Sequence, residues 1–259
     1  MESTVKPQKA RIFNYYTFGF IAKVERTRGN LDVLIRKVLY RGTKKLPDGK
    51  KIPELQDRLP GGCSLVIDIV NGVEKFLQEE NDTILLSALK KLQMIHMDYE
   101  MKSQSSNEKI NIHPFLLESE NVIFKCLNVK EDVIFPEQLR EKARKIFEFS
   151  KFETLRREIH DETGLEYERA ISTPVEMVYD DKHRKFSFFV GNVSGPAVFT
   201  GSPDSDIERS EWVSFQIFRN NIWHGHRLFL DGFLRELNKK YLAEGKLALA
   251  KLVDAPIHS

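Results

Sequence analysis

The sequence predicts an α/β fold: helices on both sides of a mixed β-sheet, interrupted by a mainly helical insertion. Three observations carry this. Two aromatic and β-branched runs near the start alternate in the manner of strands. A charged helical signal near residue 160 closes on a glycine. Two further strand signals and an amphipathic helix then complete the chain, an order that suits an α/β/α sandwich. At 259 residues the chain is long enough for one large domain or two small ones, and it reads as a single domain over 1–259 with an insertion at 63–140.

The elements follow in order. Residues 1–10 are polar and are expected to form a disordered tail; they lack the apolar core of a secretory signal. Residues 16–25 read as a strand, Arg28-Gly29-Asn30 as a turn, and 31–40 as a second strand with Leu31, Val33 and Ile35 alternating. Leu46-Pro47-Asp48-Gly49 is another turn, and Arg58-Leu59-Pro60-Gly61-Gly62 is a stretch where backbone can approach a ligand closely. Within the insertion, 84–97 has helical spacing, 103–108 reads as a mobile loop and 121–129 as a strand. Pro136 then opens a helix over 137–147. Residues 171–179 and 185–193 read as strands joined by a hairpin loop, 194–206 as loop and 211–215 as a short strand. Residues 226–242 read as a helix with Leu230, Phe233, Leu234, Leu237 and Tyr241 on one face.

Acids and bases nearly cancel, with a formal net charge of +2. That is not the bulk basic charge of a nucleic-acid coat or a membrane-binding tail, so neither nucleic acid nor membrane is the expected partner. No apolar run reaches the ~20 residues of a membrane span. Cys63 and Cys126 stand far apart without a CxxC pattern and read as reduced, packed thiols of a cytoplasmic protein.

The chemistry concentrates in Arg157-Glu158-Ile159-His160-Asp161-Glu162-Thr163-Gly164-Leu165. On a helix turning about 100° per residue, Glu158, Asp161 and Glu162 fall within an arc of about 100°. They are expected on one solvent-facing side of a helix ending near Gly164. Hard oxygen donors at this spacing suit Mg²⁺ or Mn²⁺. The same residues also read as an ordinary amphipathic helix. Arg157 then pairs at i,i+4 with Glu153 and Asp161, and Phe152, Leu155 and Ile159 form the buried stripe. His160 points away from the carboxylates. Trp223-His224-Gly225-His226 offers two His for a metal but lacks a third spaced ligand and reads as a helix start at the surface, and Phe13, Tyr15 and Tyr16 could stack on a base but read as core aromatics.

The order of residues in this segment resembles the second half of the Nudix box, Arg-Glu-apolar-x-Glu-Glu-x-Gly-apolar, with Asp161 replacing one Glu. The first half departs from the family: Phe149 stands at its Glu position and Ala143 at its Gly position. Glu148 lies one place off and would serve if the chain bulges there. Leu59-Pro60-Gly61-Gly62 and Glu211-Trp212-Val213 resemble segments that flank the box in that family, so the resemblance covers 1–62 and 141–259. It implies a Nudix-like α/β/α sandwich and hydrolysis of the diphosphate linkage of a nucleoside diphosphate derivative with Mg²⁺ or Mn²⁺. Glu158, Asp161 and Glu162 would be metal ligands, with Glu158, Glu162 and Arg157 catalytic and Arg157 orienting a glutamate. Gly61, Gly62, Asp206 and Glu208 would lie on the substrate side, and Glu162, Asp206 and Glu208 are the candidate bases. The other reading is a Nudix-fold protein that binds a nucleotide or a protein partner without turnover. The insertion would either wall the substrate pocket or serve as a structural elaboration or homodimer surface.

Overall fold

Two glycine-flanked strands and two aromatic strands place a mixed sheet at the centre of the chain's larger unit. The computed structural model describes residues 16–24, 31–45, 51–80, 83, 85–106, 110–127, 137–170, 175–179, 184–194, 207–222, 224–247 and 250. In chain order the strands are β1 (Tyr16–Val24), β2 (Leu31–Lys45), β3 (Lys51–Arg58), β4 (Gly61–Cys63), β5 (Glu166–Ala170), β6 (Val175–Tyr179), β7 (Arg184–Ser194) and β8 (Ile207–Ser214). The helices are α1 (Val66–Glu80), α2 (Leu86–Ser105), α3 (His113–Cys126), α4 (Glu137–Thr163), α5 (Phe215–Asn221) and α6 (His224–Ala243). The chain divides into two compact units, residues 16–64 with 151–259, and residues 1–15 with 65–150; the division falls inside α4.

In the first unit the strands follow the order β3-β2-β1-β7-β5, with β4 on β1, β6 on β7 and β8 on β2. β1 and β7 run parallel, Tyr16 opposite Phe186 through Ile21 opposite Gly191, and the other pairings are antiparallel. Side chains alternate between the faces of a strand, and here the alternation builds two cores. Phe18, Phe20, Val33, Ile35, Phe188 and Val190 meet Phe215 and Phe218 of α5 and Leu230, Phe233, Leu234, Leu237 and Tyr241 of α6. Phe20 lies 5.4–6.2 Å, centroid to centroid, from the rings of Phe215, Phe218 and Phe233. The intervening residues Ile21, Leu34 and Phe189 face the other way, onto Leu155 and Ile159 of α4 with Leu165 and Tyr167. Helices therefore cover both faces of a mixed sheet, an α/β/α sandwich. Gly19 keeps β1 thin under α4, since a Cβ there would sit 3.0 Å from Leu155 and 3.3 Å from Ile159. Gly191 of β7 likewise yields to Tyr167, whose ring atoms would lie 2.3 Å from a Cβ.

In the second unit every regular element among the described residues is a helix. Val66, Ile69, Val70, Val73 and Phe76 form the buried stripe of α1. Gly72 of that helix meets Ser150, whose backbone nitrogen would lie 2.5 Å from a Cβ. Phe76 is edge-on to Phe149 and Phe124 to Phe147.

Several expectations change. The run 121–129, read as a strand for its apolar residues, lies largely in α3, where Leu116, Ser119, Glu120 and Ile123 recur at three- and four-residue spacing and are buried. Residues 103–105 complete α2 rather than opening a loop. The helices expected at 137–147 and around 160 are one helix, α4. No Gly or Pro interrupts it, and it carries no bulge at Glu148; Ala143 is a buried helical residue. β8 begins earlier than expected and stops at Ser214, whose hydroxyl accepts from the Ile217 N–H and so starts α5. The tail 1–10, the turns at 28–30 and 46–49 and the loops 180–183 and 195–206 lie outside the described residues.

Candidate functional site

The last three turns of α4 lie on the sheet through Leu155 and Ile159, and the adjacent strip of the helix meets β4. Three side chains of that strip touch three successive residues of β4. Glu162 is 3 % exposed and its Oε2 accepts the Gly61 N–H at 3.0 Å. The Glu158 carboxylate rests over Gly62, where a Cβ would come within 2.6 Å of it. Arg157 donates Nη2 to the Cys63 carbonyl at 3.1 Å and Nη1 to Glu158 Oε1 at 2.9 Å. The helix and the glycine strand are thus keyed residue to residue, and charge-assisted bonds make the contact stronger than neutral ones.

β4 is shaped for this. Gly61 has φ 135, a conformation that disfavours side chains, and a Cβ there would lie 2.2 Å from the Thr17 carbonyl. Pro60 accepts the Gly19 N–H at 2.8 Å, which ties the turn to β1. Thr17 pairs with Gly62 in register. Its side chain is fully buried, and its Oγ1 has no hydrogen-bond partner among the described residues. Ser64 and Thr154 share a buried hydroxyl–hydroxyl bond of 2.8 Å just beyond the strand.

The end of the helix is also held. Gly164 has φ 68 and its N–H bonds to the His160 carbonyl at 2.8 Å, the left-handed stop expected of a glycine after a helix. Thr163 Oγ1 donates to Ile159 O at 2.6 Å. Ser210 of β8 reaches across to donate Oγ to Glu162 O at 2.7 Å.

The carboxylates share the helix strip but not the solvent-facing position expected of them. Glu158 and Glu162 face β4. Asp161 is half-exposed and lies 3.9 Å from Arg157 Nη1. Among the described residues no group of three or more His, Cys, Asp or Glu side chains is arranged to hold a metal ion. Glu153 pairs with Arg156 at 3.8 Å. Glu148, the displaced substitute for the first box glutamate, stays in regular helix. His160 lies 3.0 Å from Glu166 of β5. Position 208 lies on β8, two residues before Ser210, while Asp206, Trp223, Phe13 and Tyr15 lie outside the described residues. Sequence reasoning missed Ser210, Thr17 and the Cys63 carbonyl. Nothing local marks Ser210, because its partner is 48 residues away.

No helix among the described residues is long and apolar enough to cross a membrane. No protein-family model matches the chain, and no curated protein matches it. Among solved structures the chain is similar to a NUDIX hydrolase from Nitrosomonas europaea, with 11% sequence identity over 80% of this chain and 76% of that one and a TM-score of 0.35.

Proposed function

We propose that this chain is a Nudix-type, metal-dependent hydrolase that cleaves the diphosphate linkage of a nucleoside diphosphate derivative. The observation that carries the reading is the keyed contact of Glu162, Glu158 and Arg157 with Gly61, Gly62 and Cys63. The motif of the sequence and the glycine strand, about a hundred residues apart, meet at one place. The donor set fits a hard divalent cation: Mg²⁺ is commonly held by one or two carboxylates together with waters and substrate phosphate oxygens. Glu158 and Glu162 are the proposed ligands; Asp161, expected as a third, faces Arg157 and would have to turn from it to join them.

Bound there, Mg²⁺ or Mn²⁺ supplies neutralisation of diphosphate charge and a water of lowered pKa. The chain's own residues do the positioning. Arg157 holds Glu158 Oε1 and the Cys63 carbonyl together, which limits the carboxylate's rotamers. The Gly61 N–H fixes Glu162, and the bare backbone at Gly62 leaves the room that the Glu158 carboxylate occupies. Glu162, Asp206 and Glu208 are the proposed proton acceptors. The proposed compartment is the cytoplasm, where Cys63 and Cys126 persist as thiols.

A second reading, binding of a nucleotide or a protein partner without turnover, is favoured by one observation. Phe149 and Ala143 occupy the first-half Glu and Gly positions within uninterrupted α4. A panel of nucleoside diphosphate derivatives, assayed for phosphate-containing products with Mg²⁺ and Mn²⁺ and for binding by calorimetry, separates the readings. Product release supports the enzyme. Saturable nucleotide binding without product supports the second reading. The absence of both product and binding overturns the proposal.

A further inference from the structure

Helix α2 carries apolar residues on two opposite sides. Ala88, Leu92 and Ile95 are buried. Met94, Met97 and Met101 are 61–63 % exposed, and Leu86 is 55 % exposed. At about 100° per residue Leu86, Lys90, Met94, Met97 and Met101 lie within an arc of about 80°, opposite the buried stripe. Three of the chain's five methionines stand in this exposed row. Exposed large apolar side chains scattered singly are ordinary, but a contiguous row marks a contact surface, and methionine adapts to an apposed side chain.

The row is self-complementary. Met94, Met97 and Met101 follow the three–four spacing of a coiled-coil seam, with Ser87 and Lys90 before them and Gln104 after. When a second α2 is laid antiparallel about a two-fold axis between Met94 and Met97, each layer pairs residues on opposite sides of the axis. Met94 meets the second copy's Met97, Lys90 lays its stem on Met101, and Ser87 meets Gln104. On one flank the same axis sets Lys91 opposite Asp98 of the second copy, and the symmetry makes that pair twice. On the other flank Gln93 meets Glu100, so no like charges oppose. Asp98 already accepts Lys102 at 2.7 Å, an exposed pair that solvent weakens, and Lys102 also lies 5.2 Å from the Phe115 ring. We propose that α2 is a homodimer surface, an antiparallel two-fold contact of the Met94–Met97–Met101 row with itself. The seam from Ser87 to Gln104 is about 26 Å long. A contact of that size falls at the low end of specific interfaces, so the dimer is reversible, with a dissociation constant of about 10–100 µM.

Sedimentation equilibrium of the whole chain from ~1 to ~300 µM tests this. Wild type is expected to pass from monomer to dimer across that range. Met94→Glu with Met97→Glu is expected to weaken dimerisation at least ~tenfold, because four carboxylates, two from each copy, enter the seam. Circular dichroism reports whether this variant folds. If it does not, the charge exchange decides at exposed positions. Lys91→Asp and Asp98→Lys singly place like charges across the axis and weaken the dimer, while the double exchange returns it to within ~threefold of wild type. A wild type that stays monomeric overturns the proposal. So does a folded Glu variant with undiminished dimerisation, or a double exchange no better than the single ones.

Discussion

The hydroxyl of Ser210 donates to the carbonyl oxygen of Glu162 at 2.7 Å. That carbonyl belongs to the last turn of α4, whose carbonyls have no partner within the helix. β8 therefore supplies the bond that the helix cannot, two residues before the stop at Gly164. It also fixes the turn from which the Glu162 carboxylate reaches Gly61.

Removing the hydroxyl should loosen both. Ser210→Ala is expected to destabilise the protein by about 1–2 kcal/mol, the cost of leaving a part-buried carbonyl without its donor. Urea unfolding with an unchanged m-value measures it. Hydrogen exchange at the Gly61 amide should speed up in the same variant. An unchanged midpoint would mean that water replaces the hydroxyl without loss.

The two glycines of β4 should respond differently to alanine. In Gly61→Ala the new methyl meets the backbone carbonyl of Thr17 at 2.2 Å from a φ of 135, so nothing flexible can give way. A loss of at least about 3 kcal/mol, or failure to fold, is expected. In Gly62→Ala the methyl meets the end of the Glu158 side chain, which can swing. That change should cost about 1 kcal/mol in stability but displace the carboxylate, so turnover falls more than stability does. Thermal melts and rates on the same two proteins check the order.

Glu158→Gln and Glu162→Gln should each lower hydrolysis at least ~100-fold, since a neutral amide holds a hard cation poorly. The fold should survive, because a glutamine oxygen can still accept the Gly61 N–H at position 162. Asp161→Asn should cost about tenfold or less, as Asp161 faces Arg157 from the half-exposed side. Full wild-type rates in both glutamine variants would remove the catalytic assignment and leave the fold untouched.

Alkaline pH should weaken the protein through two tyrosines. Burial pushes Tyr241 up to about 12, with Glu244 adding to the shift, and burial also pushes Tyr167 well above its ordinary value. Above pH ~10 an unfolded tyrosine gives up its proton while these two keep theirs. The unfolded state then binds fewer protons, so stability is intact below pH ~10 and falls above it, by at most about 1.4 kcal/mol per pH unit for each ring. Tyr241→Phe and Tyr167→Phe should each flatten the slope between pH 10 and 12 in denaturant titrations. Tyr167→Phe should also be close to neutral at pH 7, because its hydroxyl has no hydrogen-bond partner among the described residues.

The sandwich was legible where side-chain period and burial agree. Phe18 and Phe20 against Ile21, and Leu230, Phe233, Leu234 and Leu237 on one helical face, announce their elements. The sequence misleads where propensity and packing diverge. Residues 66–80 receive no element from the sequence, because the β-branched Val66, Ile69, Val70 and Val73 weigh against helix propensity while their spacing serves a helix that closes on Ser150 at Gly72. Lys51–Arg58 is charged and holds Pro53, and it becomes a strand through antiparallel pairing with its chain neighbour β2. At the site, the spacing of Glu158 and Glu162 placed both on one strip of α4. It did not reveal that the strip is covered by β4, because the covering residues are glycines with no side chains to signal contact.

Gly191 and Tyr167 occupy what is in effect a single volume. The aromatic ring fills the space that a side chain on β7 would take, down to 2.3 Å from where its first carbon would stand. Bulk at one position is thus allowed only while the other is bare. In chains descended from a common ancestor with this sheet, the two positions should change together: a larger residue at 191 accompanied by a smaller one at 167. A lineage that acquires the first change without the second would have to open the β5–β7 pairing, so the path from one state to the other runs through the small–small intermediate.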